Sequence, residues 1–352
     1  MSKVELIKEL SNAFGPSGFE DEVCEIVKRE LKDFENIEED TLRNIRCELK
    51  QNSGKYKIML DSHIDEVGII VQAIKQNGTM NFLTLGRWAE TSLPSSKFNI
   101  KNIDGDLIES VVAIKPPHFM SVEEKSNTLT ISNMVLDCGA LNDKEVKDYY
   151  KLKIASPGVP AVKCVYDEKK QTFLGKAFDC RIGVAAEIEV MKRLQNKKLN
   201  VDVSAAFSSQ EEVGHRGVYN NVEKIQPKIA ICFEGCPADD TFMEPYMIQS
   251  ALNKGSMLRN FDVTMITNPR FQKYSIDLAN KLNIPVQESV RSGGGTDGAA
   301  IHLKDIPTIV IGIPVRYIHS SHGFTTLHDF DAAVDLAVAI CENITEEIID
   351  SF

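Results

Sequence analysis

Five short segments of this chain carry side chains that bind divalent metal ions in proteins, and one of them carries an additional carboxylate. Each segment ends an apolar, strand-like run. In a doubly wound sheet the loops at the carboxyl ends of the strands form the active site, so distant segments can meet there. The pattern predicts a hydrolase that uses a pair of metal ions. The segments contain His63 with Asp65, then Asp179, then Glu211 with Glu212, then Glu234, and finally His319.

His63 and Asp65 lie two residues apart in an extended segment, so their side chains point to the same side. His63 could bind a metal ion through one ring nitrogen while Asp65 fixes the orientation of the ring. The alternative is an ordinary surface histidine beside an acidic turn. Asp179 precedes a predicted helix. Its two oxygens could each bind one ion, or the residue could simply cap the helix.

Glu211 and Glu212 follow a predicted strand, where adjacent side chains face different directions. One of them could ligate a metal ion while the other stays unligated. A free glutamate beside a metal-bound water can take a proton as the water attacks and pass it to the leaving amine. The alternative is a solvated acidic loop. The sequel 213–217 (VGHRG) is an unusual sequence for a merely exposed turn.

Glu234 ends an apolar strand, where a charged group needs a partner or water. His319 could supply the remaining nitrogen ligand, with His322 as a competitor for that role. Each ion would then have one histidine, one carboxylate and the shared Asp179. Three protein ligands leave positions open for water and substrate, as in catalytic sites. The glycine-rich loop 292–298 allows either close approach of a substrate backbone or a flexible turn.

Charge and composition limit the possible functions. The chain has 352 residues and a net charge of -11, which argues against binding to nucleic-acid backbones. No long apolar run predicts a membrane span, and the N-terminus lacks the pattern of a signal peptide. The 8 cysteines show no C-x-x-C spacing, so we expect reduced thiols. The expectation is a cytoplasmic protein with neither nucleic-acid nor membrane partners.

Helix and strand patterns alternate at both ends of the chain and frame a β-rich middle. They predict an α/β, doubly wound, mixed-sheet domain in two parts, residues 1–68 and 166–352. A small β-rich domain, PDZ-like or barrel-shaped, is expected as an insert at 69–165. Its β-prone runs include 110–114 and 128–131. In the larger domain we predict strands at 56–60, 201–207, 228–233 and 307–312, and helices at 182–194 and from about residue 329.

Five stretches together resemble the dinuclear metallo-aminopeptidases of the tetrahedral (TET) type, which are also labelled glutamyl or deblocking aminopeptidases and, historically, endoglucanases. They occur in the order of that family and span almost the whole chain. The stretches are 61–68 (DSHIDEVG), 177–183 (AFDCRIG), 209–214 (SQEEVG), 294–297 (GGTD) and 316–320 (RYIHS).

The resemblance implies a specific ligand set. Asp179 would bridge two ions, His63 and Glu234 would complete one site, and Glu212 and His319 the other. Glu211 would be the general base, and Asp65 the residue that orients His63. The resemblance further implies cleavage of N-terminal residues from peptides with zinc or cobalt bound. It also implies that the β-rich insert drives dimerisation, with dimers assembling into a hollow dodecamer whose active sites face inward.

The chain departs from the pattern of the family at three positions. Glu234 stands where many members have Asp, and Cys180 follows the bridging aspartate where Asp or Asn is usual. Gly298 replaces a common Ala. Because the family often has a cis peptide bond after that aspartate, we predict one between Asp179 and Cys180.

Two other functions are compatible with the same residues. An amidase or deacylase acting on N-acyl amino acids or blocked peptides would activate water in the same way. A non-catalytic metal-binding scaffold or glycan-binding module would need no free base, so the presence of Glu211 argues against it. The sequence leaves the preferred N-terminal residue open. The mixed nitrogen and oxygen ligands suit zinc or cobalt, with manganese possible.

Overall fold

The computed structural model describes residues 1–34, 36–49, 56–126 and 128–352. Its helices are α1 (Lys3–Asn12), α2 (Asp21–Glu30), α3 (Val122–Ser126), α4 (Phe178–Leu194), α5 (Arg216–Ile225), α6 (Pro269–Leu282), α7 (Asp297–His302), α8 (Leu327–Asn343) and α9 (Glu346–Asp350). Its strands are β1 (Glu38–Glu39), β2 (Ile45–Leu49), β3 (Lys57–His63), β4 (Gly68–Ile74), β5 (Met80–Leu85), β6 (Lys97–Lys101), β7 (Leu107–Ile114), β8 (Met134–Asp137), β9 (Pro157–Pro160), β10 (Val165–Asp167), β11 (Thr172–Gly175), β12 (Asp202–Ser208), β13 (Ile229–Pro237), β14 (Ser256–Phe261), β15 (Val286–Val290), β16 (Thr308–Val315) and β17 (Gly323–Thr326).

The larger part of the molecule is built on an eight-stranded mixed sheet with the order β1-β2-β12-β3-β13-β16-β14-β15. Its centre is parallel, because β3 pairs in parallel with both β12 and β13, and β13 pairs in parallel with β16. Antiparallel pairs occur where β2 meets β12 and where β14 meets β16. The predicted mixed α/β sheet is therefore confirmed.

Helices cover both faces of this sheet. On β3, Ile58 and Leu60 belong to the core that contains α4 and α8, whereas Met59 belongs to the core that contains α5 and α7. Successive strand residues point to opposite faces, so a strand covered on both sides is buried along its whole length. All residues of β12 and β16 are buried accordingly. This is the doubly wound arrangement that the sequence predicted.

A closed barrel of six antiparallel strands, in the order β4-β5-β8-β7-β6-β9, lies between the two halves of this α/β part in the chain. It has a separate hydrophobic core that includes Ile69, Phe82, Phe98 and Leu136. The barrel form of the β-rich insert is thus observed, while its PDZ-like character and its exact boundaries stay predictions. Among the helices described, none has the length and apolarity needed to cross a membrane.

One predicted β-prone run is wrong. Residues 128–131 form no strand; instead a single 3-10 turn spans Ile131–Asn133. The Thr130 hydroxyl donates to Asn133 Oδ1 at 2.7 Å, and the Asn133 side chain also accepts from the backbone N–H of Thr130. Short polar side chains that bond the local backbone compete with strand pairing. The other run, 110–114, lies within β7 as predicted.

A buried ionic cluster fixes the N-terminal segment to the sheet. Lys176 Nζ lies 2.6 Å from Glu66 Oε1 and also donates to the carbonyl of Ala13 at 2.9 Å. The Arg181 guanidinium donates to the carbonyl of Gly15 at 2.9 Å and lies 3.4 Å from Glu66. All three charged side chains are almost completely buried. The cluster therefore holds the chain that runs just behind residues 63–66.

We expect Lys176→Met to lower the free energy of unfolding by roughly 3–5 kcal/mol, because among the described residues it leaves Glu66 with only the more distant Arg181 as a charged partner. Urea unfolding would measure the change. Lys170→Met, which alters an exposed lysine between β10 and β11, is the control and should change stability by less than about 0.5 kcal/mol. Equal losses in both variants would contradict the structural role of the cluster.

Candidate metal centre

The side chains of the candidate site come from the carboxyl ends of adjacent strands. β12, β3 and β13 are parallel neighbours, so the residues that follow or end them meet at one edge of the sheet. The positions are His63 at the end of β3, Asp65 just after it, Glu211 and Glu212 after β12, Glu234 within β13, Asp179 at the start of α4, and His319 between β16 and β17.

Asp179 lies between the two histidines. His63 Nε2 is 3.1 Å from Asp179 Oδ1, and His319 Nε2 is 3.0 Å from Asp179 Oδ2. Each histidine has a second carboxylate nearby. Glu234 Oε2 is 3.6 Å from His63 Nε2, and Glu212 Oε2 is 3.7 Å from His319 Nε2. The structure thus brings together two groups of side chains that share Asp179, and the group that contains His63 and Glu234 also includes Cys180.

The spacing of these atoms suits metal binding. Around a tetrahedral ion with bonds of about 2.0 Å, two ligand atoms lie about 3.3 Å apart. The separations from 3.0 to 3.7 Å fall on both sides of that value. In addition, Glu212 Oε1 is buried and has no hydrogen-bond partner among the described residues, so it has an unused acceptor. The chain therefore carries histidine and carboxylate groups that could bind metal.

The electrostatics of the cluster also favour a cation. Burial raises the pKa of Glu234 to about 8. Burial and the charges of Asp179 and Glu211 raise the pKa of Glu212 well above its usual range. Burial opposes ionisation of Asp179 as well, but hydrogen bonds from His319 and His63 outweigh it and lower the pKa of this carboxyl. The cluster thus has more buried carboxyl groups than nearby cationic side chains, and a bound cation would stabilise their ionised forms.

Asp65 connects the two halves of the site. Its Oδ1 atom lies 3.3 Å from His63 Nδ1 and accepts the backbone N–H of Glu211 at 3.0 Å. Its Oδ2 atom accepts the N–H of Glu212 at 3.2 Å and the hydroxyl of Ser17 at 2.6 Å. Burial would raise the pKa of Asp65, but the contact with His63 and the hydrogen bonds from Ser17 and Glu211 together outweigh burial and lower it. One carboxylate thereby sets the position of a histidine and of both glutamates.

Glu211 belongs to neither of the two groups that share Asp179. Its Oε2 atom lies 4.0 Å from His63 Nε2, whereas Oε1 lies 3.0 Å from His215 Nδ1. The side chain is only 11% exposed. Glu211 is therefore a nearly buried carboxylate that borders the candidate ligands.

Sequence reasoning missed two residues of the site, His215 and Asp297. A tight turn brings His215 back towards Glu211, because the N–H of His215 donates to the carbonyl of Glu211 at 2.9 Å. Gly214 adopts φ +122° in this turn, a conformation that favours glycine. Burial would lower the pKa of His215, but Asp297 and Glu211 outweigh it and raise the pKa to about 10. In the sequence, Gly214 was the available sign that the chain turns here and could bring His215 back to Glu211.

The structure also bears on the predictions for the peptide bond after Asp179, for Cys180 and for His322. The peptide bond between Asp179 and Cys180 is cis, as predicted. Cys180 is buried, and its Sγ atom lies 3.1 Å from the carbonyl of Phe233 and close to the donors of the group that contains His63. His322, the competitor of His319, is exposed.

The barrel forms part of the wall of the site. Gly86 follows β5 with φ +82°, and a Cβ atom there would lie 3.0 Å from Glu212 Oε2 and 2.8 Å from Val67 Cγ1. A larger residue would be strained in this backbone conformation and would crowd a candidate ligand.

Comparison with known proteins gives the family. The model of the M42 glutamyl aminopeptidases matches residues 43–336. The chain belongs to this family. It is 31% identical to a putative aminopeptidase of Acetivibrio thermocellus, with 96% of this chain and 98% of the relative covered.

Two solved structures extend the similarity of this M42 chain to the whole fold. A TET aminopeptidase from the marine sediment archaeon Thaumarchaeota archaeon SCGC AB-539-E09 is 32% identical with a TM-score of 0.95, covering 99% of this chain and 98% of that one. The Pyrococcus horikoshii TET1 peptidase, which can assemble into a tetrahedron or a large octahedral shell, is 27% identical with a TM-score of 0.87, covering 97% and 100%. The M42 chain is therefore an aminopeptidase, a hydrolase that acts on peptide bonds.

A further buried carboxyl, Glu20, lies behind Asp65 in this M42 fold. Its Oε1 atom accepts the N–H groups of Gly18 and Gln210 at 2.8 and 3.3 Å. Its Oε2 atom is buried without a hydrogen-bond partner in the described part of the chain. Burial, followed by the charge of Asp65, raises the pKa of Glu20 from 4.5 to about 7. Because the folded-state pKa is raised, the stability that protonated Glu20 contributes is present at low pH and is lost as pH rises through 7.

We expect Glu20→Gln to stabilise the protein above about pH 8 by roughly 2–3 kcal/mol, because the amide keeps the accepting oxygen and never ionises. The difference should shrink as pH falls from about 7 towards 4.5 and vanish near about pH 3, where Glu20 is protonated in both the folded and the unfolded state. Urea unfolding across this pH range would measure the difference in the free energy of unfolding between the variant and wild type. The control Glu168→Gln, at an exposed position, should show no such trend. A pH-independent difference would contradict the raised pKa.

Proposed function

We propose that this chain is a co-catalytic two-metal aminopeptidase that removes N-terminal residues from peptides. Asp179 would bridge two divalent ions, with His63 and Glu234 completing one site and Glu212 and His319 the other. The observation that carries the proposal is that the two oxygens of Asp179 each face a different histidine, at 3.1 and 3.0 Å.

Glu211 is the proposed general base. When bound, the two ions would polarise the scissile carbonyl and make a bound water more acidic. Glu211 would accept the proton of the attacking water and deliver it to the nitrogen of the leaving amine. Its position supports this role, because it borders the ligands but belongs to neither of the two groups that share Asp179.

Asp65 is proposed as a positioning residue. A carboxylate on the second ring nitrogen of a metal-binding histidine fixes the orientation of the ring and increases its basicity. The hydrogen bonds from the backbone of Glu211 and Glu212 to the same carboxylate extend this role to the base and to a ligand on the other ion.

The donor set supports zinc or cobalt, with manganese possible, because it mixes two imidazoles with carboxylates. Glu234 would reach its ion with an arm one carbon longer than Asp. The thiol of Cys180 lies near this ligand but donates to the carbonyl of Phe233 at 3.1 Å, so we do not count it among the ligands.

We further propose that residues 1–68 and 166–352 form the catalytic domain and that residues 69–165 form a dimerisation domain. Dimers would assemble into a hollow dodecamer with the active sites facing inward. Similarity to the P. horikoshii peptidase and its closed shells supports an assembly of this type. Peptides in the cytoplasm would be the substrates, with no role for nucleic acid.

Replacing the proposed base tests the mechanism. We expect Glu211→Gln to lower kcat by roughly 10²- to 10⁴-fold, because the amide cannot accept a proton. Metal content per chain should stay at the wild-type value, since Glu211 is not a proposed ligand of the pair. Steady-state kinetics on aminoacyl substrates, combined with elemental analysis of the same samples, would measure both.

The matched control is Glu223→Gln, which changes an exposed glutamate on the neighbouring helix α5 and should leave kcat unaltered. Unchanged turnover in Glu211→Gln would refute the assigned base. A joint loss of turnover and metal would instead make Glu211 a ligand.

A pair of substrates separates the aminopeptidase from the deacylase alternative. We expect a peptide with a free α-amine to be hydrolysed and its N-acetylated counterpart to be inert. The carboxyl groups of Glu211, Glu212 and Glu234 would favour a positively charged N-terminus beside the ions, and acetylation removes that charge. Product analysis by mass spectrometry, on peptides with different first residues, would also give the specificity. Cleavage of the acetylated peptide at a similar rate would favour the deacylase.

A further inference from the structure

A second cluster of ligating side chains borders the proposed metal pair. Glu211, His215 and Asp297 each offer one donor atom, and these atoms all lie within 4.8 Å of one another. His215 Nδ1 is 3.0 Å from Glu211 Oε1 and 3.3 Å from Asp297 Oδ1. These separations are close to the roughly 3.3 Å expected between two ligands of one tetrahedral ion.

Hydrogen bonding within the protein does not satisfy this cluster. Asp297 is only 2% exposed, yet within the described ranges neither of its carboxylate oxygens has an aligned hydrogen-bond donor. The Nδ1 atom of His215 is also buried and is aligned with neither of the two nearby oxygens. One N–H group cannot serve two oxygens that both lie off its axis. Buried polar atoms left in this way indicate a missing water or ion.

The cluster contains more carboxyl groups than imidazoles, and this favours a bound cation over a bound water. Glu211 and Asp297 contribute two carboxylates against a single imidazole. Asp61 is a third buried carboxyl group, and it lies close enough to Asp297 for the charge of Asp297 to act on it. The Oδ1 atom of Asp61 accepts from Ser208 at 2.6 Å, while its Oδ2 atom lacks a partner among the described residues. A divalent ion would offset this excess of negative charge.

We propose that Glu211, His215 and Asp297 form a third divalent-cation site, of the zinc class because it combines imidazole with carboxylates. The ion would bind Glu211 through Oε1 and so remove the carboxylate that acts as the base. Metal in excess of the catalytic pair therefore inhibits the enzyme. This inhibition rests on the proposed function of Glu211, whereas the binding of the ion does not.

Zinc counting on the assembled holoenzyme tests the site. Wild-type protein, His215→Leu and Asp297→Asn would be dialysed against increasing zinc, and bound zinc per chain measured by elemental mass spectrometry. We expect wild type to bind one zinc more than either variant, with affinity for that ion weakened at least about 10- to 100-fold in the variants. The control His118→Leu removes an exposed histidine of the barrel and should keep the additional zinc. Turnover of wild type and of the control should fall as this zinc binds.

Equal zinc content in wild type and both variants would overturn the site. The cluster would then be an ion pair of His215 with Glu211 and Asp297. Binding of the additional zinc without loss of turnover would overturn the inhibition. If His215→Leu fails to fold, Asp297→Asn decides alone, because it keeps the shape of the side chain. A failure of the two-metal function would appear as too few ions in every variant. The difference of one zinc between wild type and the variants would still decide the third site.

Discussion

The carboxylate of Asp65 is the constraint on which the candidate site depends. It is completely buried, and it accepts the backbone N–H groups of Glu211 and Glu212 while it lies against the ring of His63. A buried carboxylate with several donors is strongly held, so the two strand ends that carry these residues cannot move independently. The spacing between a histidine and two glutamates far apart in the chain is thus set by one group of atoms.

The sheet and the ionic cluster around Glu66 provide the frame for that constraint. Parallel pairing of β3 with β12 and β13 places three strand ends side by side, and helices on both faces exclude water from the strands. Lys176 then holds the segment behind the site through Glu66 and the carbonyl of Ala13. Positioning by strands and buried ion pairs is more rigid than positioning by loops alone.

Much of the fold followed from local patterns. The apolar runs at 201–207 and 307–312 lie, apart from the first residue of each, within strands β12 and β16 of the central sheet, and the side chains of His63 and Asp65 meet as the period of two predicted. The link between His215 and Asp297 was not predictable, because it depends on a turn at Gly214 and on helix packing between distant segments. The run 128–131 failed because side-chain hydrogen bonds overrode its strand propensity. Closure of the barrel through β4 and β9 is likewise a long-range pairing without a local signal.

The turn at Gly86 has an architectural consequence. The barrel has its own core, which suggests a separable module, yet this turn touches Glu212 and Val67 at the edge of the sheet. The barrel therefore forms part of the wall of the candidate metal site and is not merely attached to the α/β part. Excising the barrel would expose the lining beside Glu212 to solvent, and enlarging the residue at this turn would crowd the same side chain.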